Sequence, residues 1–359
     1  MRKLSDFFSI IMINYVGYQR QINTICLLCL LLFSGSVYAQ RNCSQKLKDA
    51  EISYKNGRLN EVPGILKSCL SAGFNKDELV QAYRLLALTY IYLDEQKKAE
   101  QAVLSLIRIA PDYKINTRSD PTEFIKLFKS FRTVPIVIPT IKAGINNNWV
   151  RVRETYLTDN PSLASPTYKT GFGYQLEIAI EIPIIEHISA GAELHLTGRN
   201  FTSISTFNDF QTLTLKERQA WIDIPFLGKY TYDLKTIHTF LVAGPAISLL
   251  YNAKGMVERK NNSGVSNPIN TTVDLMKLRN GIALGGMIGG GASCKLGKGY
   301  ALAEIRYHHL FSKVTKEVTL DMIPNLPYEY GYIDDNFSMS NISLSVGYTY
   351  PIYRPKKLR

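Results

Sequence analysis

Ten ionisable residues in the C-terminal part of the chain are of the types that chemistry requires: Lys142, Glu177, Glu181, Glu193, His195, Asp223, Lys229, Glu304, Arg306 and His308. Together they offer a proton donor, a base and an orienting cation, the minimum set for hydrolysis or acyl transfer. Their spacing follows a period of two, not 3.6, so they belong on one face of extended strands.

The strands that must position them are legible. In Gly171–Pro183, Phe172, Tyr174, Leu176, Ile178, Ile180 and Ile182 share one face, while Gln175, Glu177 and Glu181 share the other. In His187–Thr197, Ile188, Ala190, Ala192, Leu194 and Leu196 alternate with Ser189, Gly191, Glu193, His195 and Thr197. Ile342, Leu344, Val346, Tyr348 and Tyr350 repeat the pattern near the C-terminus. Eight strands are expected at about 138–150, 168–183, 187–203, 214–232, 236–252, 275–294, 299–315 and 337–351. Their length suits a tilted crossing of a hydrocarbon layer, and charge deep in the non-apolar face suits a polar lumen. The expected connections alternate. Residues 151–167, 204–213, 253–274 and 316–336 are long, whereas Ile184–Glu186, Asp233–Lys235 and Lys295–Lys298 are short. This parity is that of an outer-membrane barrel with long external loops and both termini in the periplasm. Tyr230, Tyr232, Tyr348 and Tyr350 would form its periplasmic aromatic girdle.

Residues 1–39 read as a signal peptide. Arg2, Lys3 and Arg20 precede the apolar run Ile22–Ser34, and Val37-Tyr38-Ala39 provides a cleavage site before Gln40. The formal charge of +12 then falls to about +10, because the removed segment holds three cations and one carboxylate. In a secreted protein that charge does not point to nucleic acid; it suits a solvated basic surface or anionic lipid head groups. Cys43, Cys69 and Cys294 remain, with no metal-ligand spacing, and an oxidising compartment leaves a Cys43–Cys69 disulfide open. No metal or organic cofactor is indicated.

Residues 40–133 have helical periodicity. Ala87, Tyr90, Leu93, Ala99 and Pro111 stand at the spacings of a tetratricopeptide repeat: small residue, aromatic, turn, small residue, closing proline. Ala50, Tyr54 and Gly57-Arg58-Leu59 form a weaker copy about one repeat length earlier. Ser119 or Asp120, followed by Pro121 and Glu123, would cap a last helix running to about Arg132, with Phe124, Leu127, Phe128 and Phe131 on one face.

Trp221-Ile222-Asp223-Ile224-Pro225-Phe226-Leu227-Gly228-Lys229-Tyr230 resembles the IP-x-L-x-KY strand of the PorT-like outer-membrane barrels of Bacteroidota. Gly244-Pro245, the glycine-rich Gly285–Gly291 and Glu304-Ile305-Arg306-Tyr307 fit the same family. The resemblance covers about residues 138–351. It implies a membrane barrel, and for some relatives a part in protein secretion and gliding.

The fold class expected is therefore α+β and multidomain: tetratricopeptide-like helices (40–133), an eight-stranded antiparallel transmembrane β-barrel (134–353) and a basic periplasmic tail (354–359) near lipid head groups. An eight-stranded barrel is just wide enough for side chains to fill, so the ten ionisable residues are expected to neutralise one another as a plug. The expected function is non-catalytic, with outer-membrane lipid and an envelope protein held by the repeats as partners. Two alternatives stand beside it. One is an outer-membrane enzyme acting on lipid or envelope polymer through the luminal carboxylates. The other is a surface receptor or adhesin using the long outer loops and Tyr328, Tyr330 and Tyr332.

Overall fold

The computed structural model describes residues 42–71, 73–155, 166–207, 211–234, 237–261, 269–316 and 334–358. The signal-peptide segment and the three loop tyrosines lie outside the described residues. The chain divides into two compact units, one reaching to Val134 and including the segment from Arg354, the other spanning Pro135–Tyr353.

The first unit is helical: α1 (42–55), α2 (Val62–Leu70), α3 (Lys76–Tyr92), α4 (Gln96–Ile109) and α5 (Thr122–Lys129). A reciprocal capping box starts α3: Asn75 Oδ1 accepts the Glu78 N–H, and the Glu78 carboxylate accepts the Asn75 N–H, each at 2.9 Å. The turns between α1 and α2 and between α3 and α4 put Gly57 and Asp94 in the left-handed region, at φ 77° and 58°. Glycine and aspartate are residues that adopt it at small cost. Ala50, Ala87 and Ala99 are fully buried, so neighbouring helices approach closely. Cys43 and Cys69 form a disulfide with their Cα atoms 5.7 Å apart, joining α1 to α2.

Two local expectations are corrected here. Asp120 does not cap α5, which has no side-chain cap; its carboxylate accepts the Asn116 N–H at 2.8 Å and pairs with Arg84 on α3. Burial against a guanidinium outweighs the weaker demand of an exposed helix start. The helix also stops at Lys129, because Phe131 forms a β-bridge with Lys357. The C-terminal tail is thus strapped to this unit rather than left as a free basic segment. Leu358 N–H donates to Ser130 O and Arg132 N–H to Lys356 O, while Lys357 reaches Glu100 at 2.6 Å. That hydrogen bond holds the Glu100 carboxyl below the usual carboxylate range.

The second unit has nine strands among the described residues: β1 (Ile138–Glu154), β2 (Thr167–Ile185), β3 (Ile188–Phe207), β4 (Gln211–Leu234), β5 (Ile237–Asn261), β6 (Ile269–Asp274), β7 (Ile282–Leu296), β8 (Gly299–Leu310) and β9 (Asn336–Thr349). Eight of them close a ring in the order β1-β2-β3-β4-β5-β7-β8-β9, each antiparallel to its neighbours, with β9 returning to β1. Closure leaves no unpaired edge around the ring. The outward face is apolar: Phe172 is 72 % exposed, Tyr174 70 % and Ile141 64 %, and Ile178, Ile180, Leu194, Leu241, Ile288, Ile305 and Leu344 are exposed with them. Soluble monomers rarely expose so continuous an apolar belt, which marks a membrane or a partner surface.

The loop expectations are partly overturned. Residues 204–213 are not a long loop, since β3 continues to Phe207 and β4 starts at Gln211. Residues 253–261 prolong β5, and 269–274 form β6, which replaces β7 beside the far half of β5. The sixth ring strand begins at Ile282, not 275, because Met276–Leu278 make a 3-10 turn. With 24 and 25 residues, β4 and β5 are more than twice the length that a tilted crossing needs, about 9–11 residues. Bulges let them change course: the register shifts between Ala220 and Trp221, and between Thr170 and Gln175 in β2. At that end a second apolar core fills the ring, built on Phe201, Leu215, Trp221, Leu275, Phe337 and Met339.

Candidate functional site

The barrel register itself lines up the charged residues. Lys142 on β1 is opposite Glu177 on β2, Glu177 is opposite His195 on β3, His195 is opposite Asp223 on β4, and Asp223 is opposite Ser248 on β5. One hydrogen-bonded row of the sheet thus carries four ionisable groups and a hydroxyl around the lumen. All five are buried.

Lys142 is the hub. Its Nζ lies 2.8 Å from Glu177, 2.7 Å from Glu304 and 3.2 Å from Glu193. Arg306 forms the second cation, with Nη1 2.6 Å from Glu193 and Nε 2.9 Å from Glu304. His195 Nε2 meets Glu193 at 2.7 Å, and Glu177 also accepts from Gln175 and Ser345. Room for these long side chains comes from glycines across the strand pairs. A Cβ on Gly347 would sit 2.5 Å from Lys142 Cγ, and one on Gly289 would sit 2.6 Å from Arg306 Cγ. The glycine-rich β7 therefore serves the lumen as well as strand packing.

Asp223 heads a second cluster. Arg199 Nη2 donates to both its oxygens, at 2.7 and 2.8 Å, and Thr197 and Ser248 donate to it as well. The same Nη2 donates to His308 Nδ1 at 3.1 Å, which leaves the His308 proton on Nε2. The Arg199 guanidinium also lies over the Trp221 ring, 4.9 Å from its centre. Glu181 and Lys229 pair at 2.8 Å toward the short-turn end, apart from the other eight residues singled out by sequence.

Sequence reasoning missed three residues that matter equally. Arg199 and Glu217 stand on the luminal parity of β3 and β4, so the alternation carried a signal for both. Arg279 fell inside the expected strand 275–294, but it follows a 3-10 turn, so strand parity there was no guide to it. It is fully buried, donates to Glu217 at 2.6 and 2.8 Å, and pairs with Asp334. Its guanidinium also covers the Phe337 ring at 5.1 Å. This ion pair and the surrounding apolar core stopper the far end of the lumen.

Chemically, the carboxylates of the hub are matched by cations, while Arg199 Nε and Nη1 and His308 Nε2 are buried without a hydrogen-bond partner among the described residues. Glu177, Glu193 and His195 bring three ligand-type atoms within 4.8 Å of one another, a metal-like grouping. Lys142 and Arg306 already match those carboxylates, so a divalent cation would have to compete with three ammonium or guanidinium contacts to Glu177 and Glu193. A small recess of about 30 Å³ remains between the hub and the Glu181–Lys229 pair, lined also by Leu227 and Phe240.

No protein-family profile matches the sequence, and none of the curated proteins matches it. Among solved structures, the neisserial surface protein A shares 11 % identity over 60 % of this chain and 97 % of its own, at a TM-score of 0.28. The outer-membrane protein OprG of Pseudomonas aeruginosa shares 8 % over 62 % and 98 %, at 0.32. Ail, the attachment invasion locus protein of Yersinia pestis, shares 10 % over 60 % and 99 %, at 0.26. Identities and scores this low carry no functional argument; the closed antiparallel ring stands on the strand pairings of the chain itself.

Proposed function

We propose that the chain is a non-catalytic outer-membrane barrel that anchors a small helical-repeat domain in the periplasm, where the repeats hold another envelope protein. One observation carries the reading: a closed ring with an apolar exterior and an interior occupied by mutually neutralised charges, stoppered at one end. Such a barrel suits lipid outside and offers no open pore inside. The short-turn end also carries both ends of the barrel chain.

The motif from Trp221 to Tyr230 supports membership among the PorT-like barrels. Repeat character is supported by the packing of α3 on α4, with Ala87 and Ala99 buried, Tyr90 against the same core and Pro111 just beyond the end of α4. Two helical pairs with a closing helix are few for a free-standing solenoid, which favours a partner-bound role.

Deletion of residues 40–133, with the signal peptide and barrel kept, is expected to abolish recovery of the partner in a crosslinked pull-down while the barrel still reaches the membrane. Undiminished recovery would assign the interaction to the barrel or its loops and end this reading.

A further inference from the structure

The outward face of the ring is free of charge through the apolar belt, and then changes abruptly on β1. Trp149 is followed on the same face by Arg151 and Arg153, both exposed and both at the end of the barrel away from the short turns. The register between β1 and β9 shifts between Val152 and Glu154, so Arg153 lies at the irregularity. Beside them is an ordered plate of rings: Trp149 stacks on Tyr307 at 6.0 Å, Tyr307 on His309 at 6.4 Å, and His309 meets Phe311 edge-on at 5.4 Å. His309 Nδ1 is fixed on Ser340 at 2.7 Å.

Arg153 is held but not neutralised. Its Nε donates to Ser338 at 3.2 Å and its Nη2 to the Phe311 carbonyl at 2.8 Å, both uncharged acceptors. A guanidinium has five N–H donors, so most of its hydrogen-bonding capacity faces outward. The neighbouring carboxylate, Glu154, is taken by Lys313 at 3.1 Å and Asn336 at 2.7 Å. Among the described residues neither arginine forms a salt bridge. Two like charges two residues apart on one strand face repel unless an anion lies between or above them. The opposite flank differs, because Arg218 and Lys254 share their row with Asp274.

We propose that Arg151 and Arg153 hold the phosphate of a phosphorylated glycolipid in the outer leaflet, with Trp149 and Tyr307 against its head-group region. The inference rests on the outer-membrane reading. Aromatic side chains settle at the level where chains give way to head groups. Guanidinium forks match phosphate oxygens two at a time, and charge-assisted bonds at that depth are partly shielded from water. A phosphate placed there would supply both arginines with the salt-bridge partner that neither has among the described residues.

The test uses the full-length protein in detergent, titrated by native mass spectrometry with diphosphoryl lipid A and with the same lipid dephosphorylated. The wild type is expected to bind the phosphorylated form at least roughly ten-fold more tightly. The double variant Arg151→Gln/Arg153→Gln should lose that preference, Arg151→Gln alone should lower it several-fold, and Lys298→Gln at the short-turn end should leave it intact. Equal affinity for both lipids, or an unchanged preference in the double variant, overturns the proposal. The same samples are run unboiled and boiled on a gel. A folded, heat-modifiable barrel without lipid preference removes only this inference, whereas no heat-modifiable form removes the membrane reading with it.

Discussion

Replacing Arg306 by methionine is expected to destabilise the barrel by roughly 3–5 kcal/mol, the typical cost of stranding one partner of a buried ion pair. Glu193 and Glu304 would then share Lys142 with Glu177, and three carboxylates would face one ammonium and one imidazole. The double variant Arg306→Met/Glu304→Leu should lose clearly less than its two single variants summed, because it removes a charge of each sign from one cluster. Urea titration of the protein in vesicles, followed by gel mobility of the folded form, reads both. If the single variant proved as stable as wild type, the luminal charges would not be the structural plug described. A lumen built for catalysis predicts the reverse pattern: lost turnover at full stability.

The helical unit should depend on its disulfide almost as strongly. Cys43 and Cys69 are 26 residues apart in sequence, and closing a loop of that size stabilises by about 3 kcal/mol in the chain-entropy account. For a unit of this size that corresponds to a fall in helix melting temperature of roughly 10–20 °C. The variant Cys43→Ser/Cys69→Ser, monitored by the helical circular dichroism signal of the full-length protein, should show this early loss while the strand signal melts unchanged. A single unshifted transition would mean that the packing of Ala50, Leu66 and Phe74 suffices without the cross-link.

Much of this was written in the alternation. A period of two in Gly171–Pro183 and His187–Thr197 places isoleucines and tyrosines outside and Glu177, Glu193 and His195 inside, since a ring buried only on its inner face allows one register. The far end was not legible in the same way. There both faces of β4 and β5 leave the apolar belt, so polar and apolar residues no longer report on lipid and lumen, and residues 253–261 read as a loop. Bulges compound this, because each reverses the parity beyond it: Tyr168 turns toward Phe201 and Phe337, at 6.1 Å from each, only after the shift in β2. Arg279 illustrates the limit. Its partners Glu217 and Asp334 lie far from it in sequence, and no local period marks a guanidinium that enters the lumen from a turn.

The alanine and proline spacings in the helical part had a different basis. Ala87 and Ala99 mark where two helices touch, which is a local property of a helical pair and survives without knowledge of the whole. The strap formed by residues 356–358 had no such mark. Its main-chain pairing with Ser130 and Arg132 depends on bringing the two ends of the barrel chain together.

The most direct test of the central claim is a heat-modifiability gel on the outer-membrane fraction of cells expressing the full-length chain. A closed barrel that resists detergent predicts faster migration of the unboiled sample and a shift to the full-length position after boiling. Recovery of the protein in the soluble periplasmic fraction, with one mobility in both lanes, would contradict a membrane-embedded barrel.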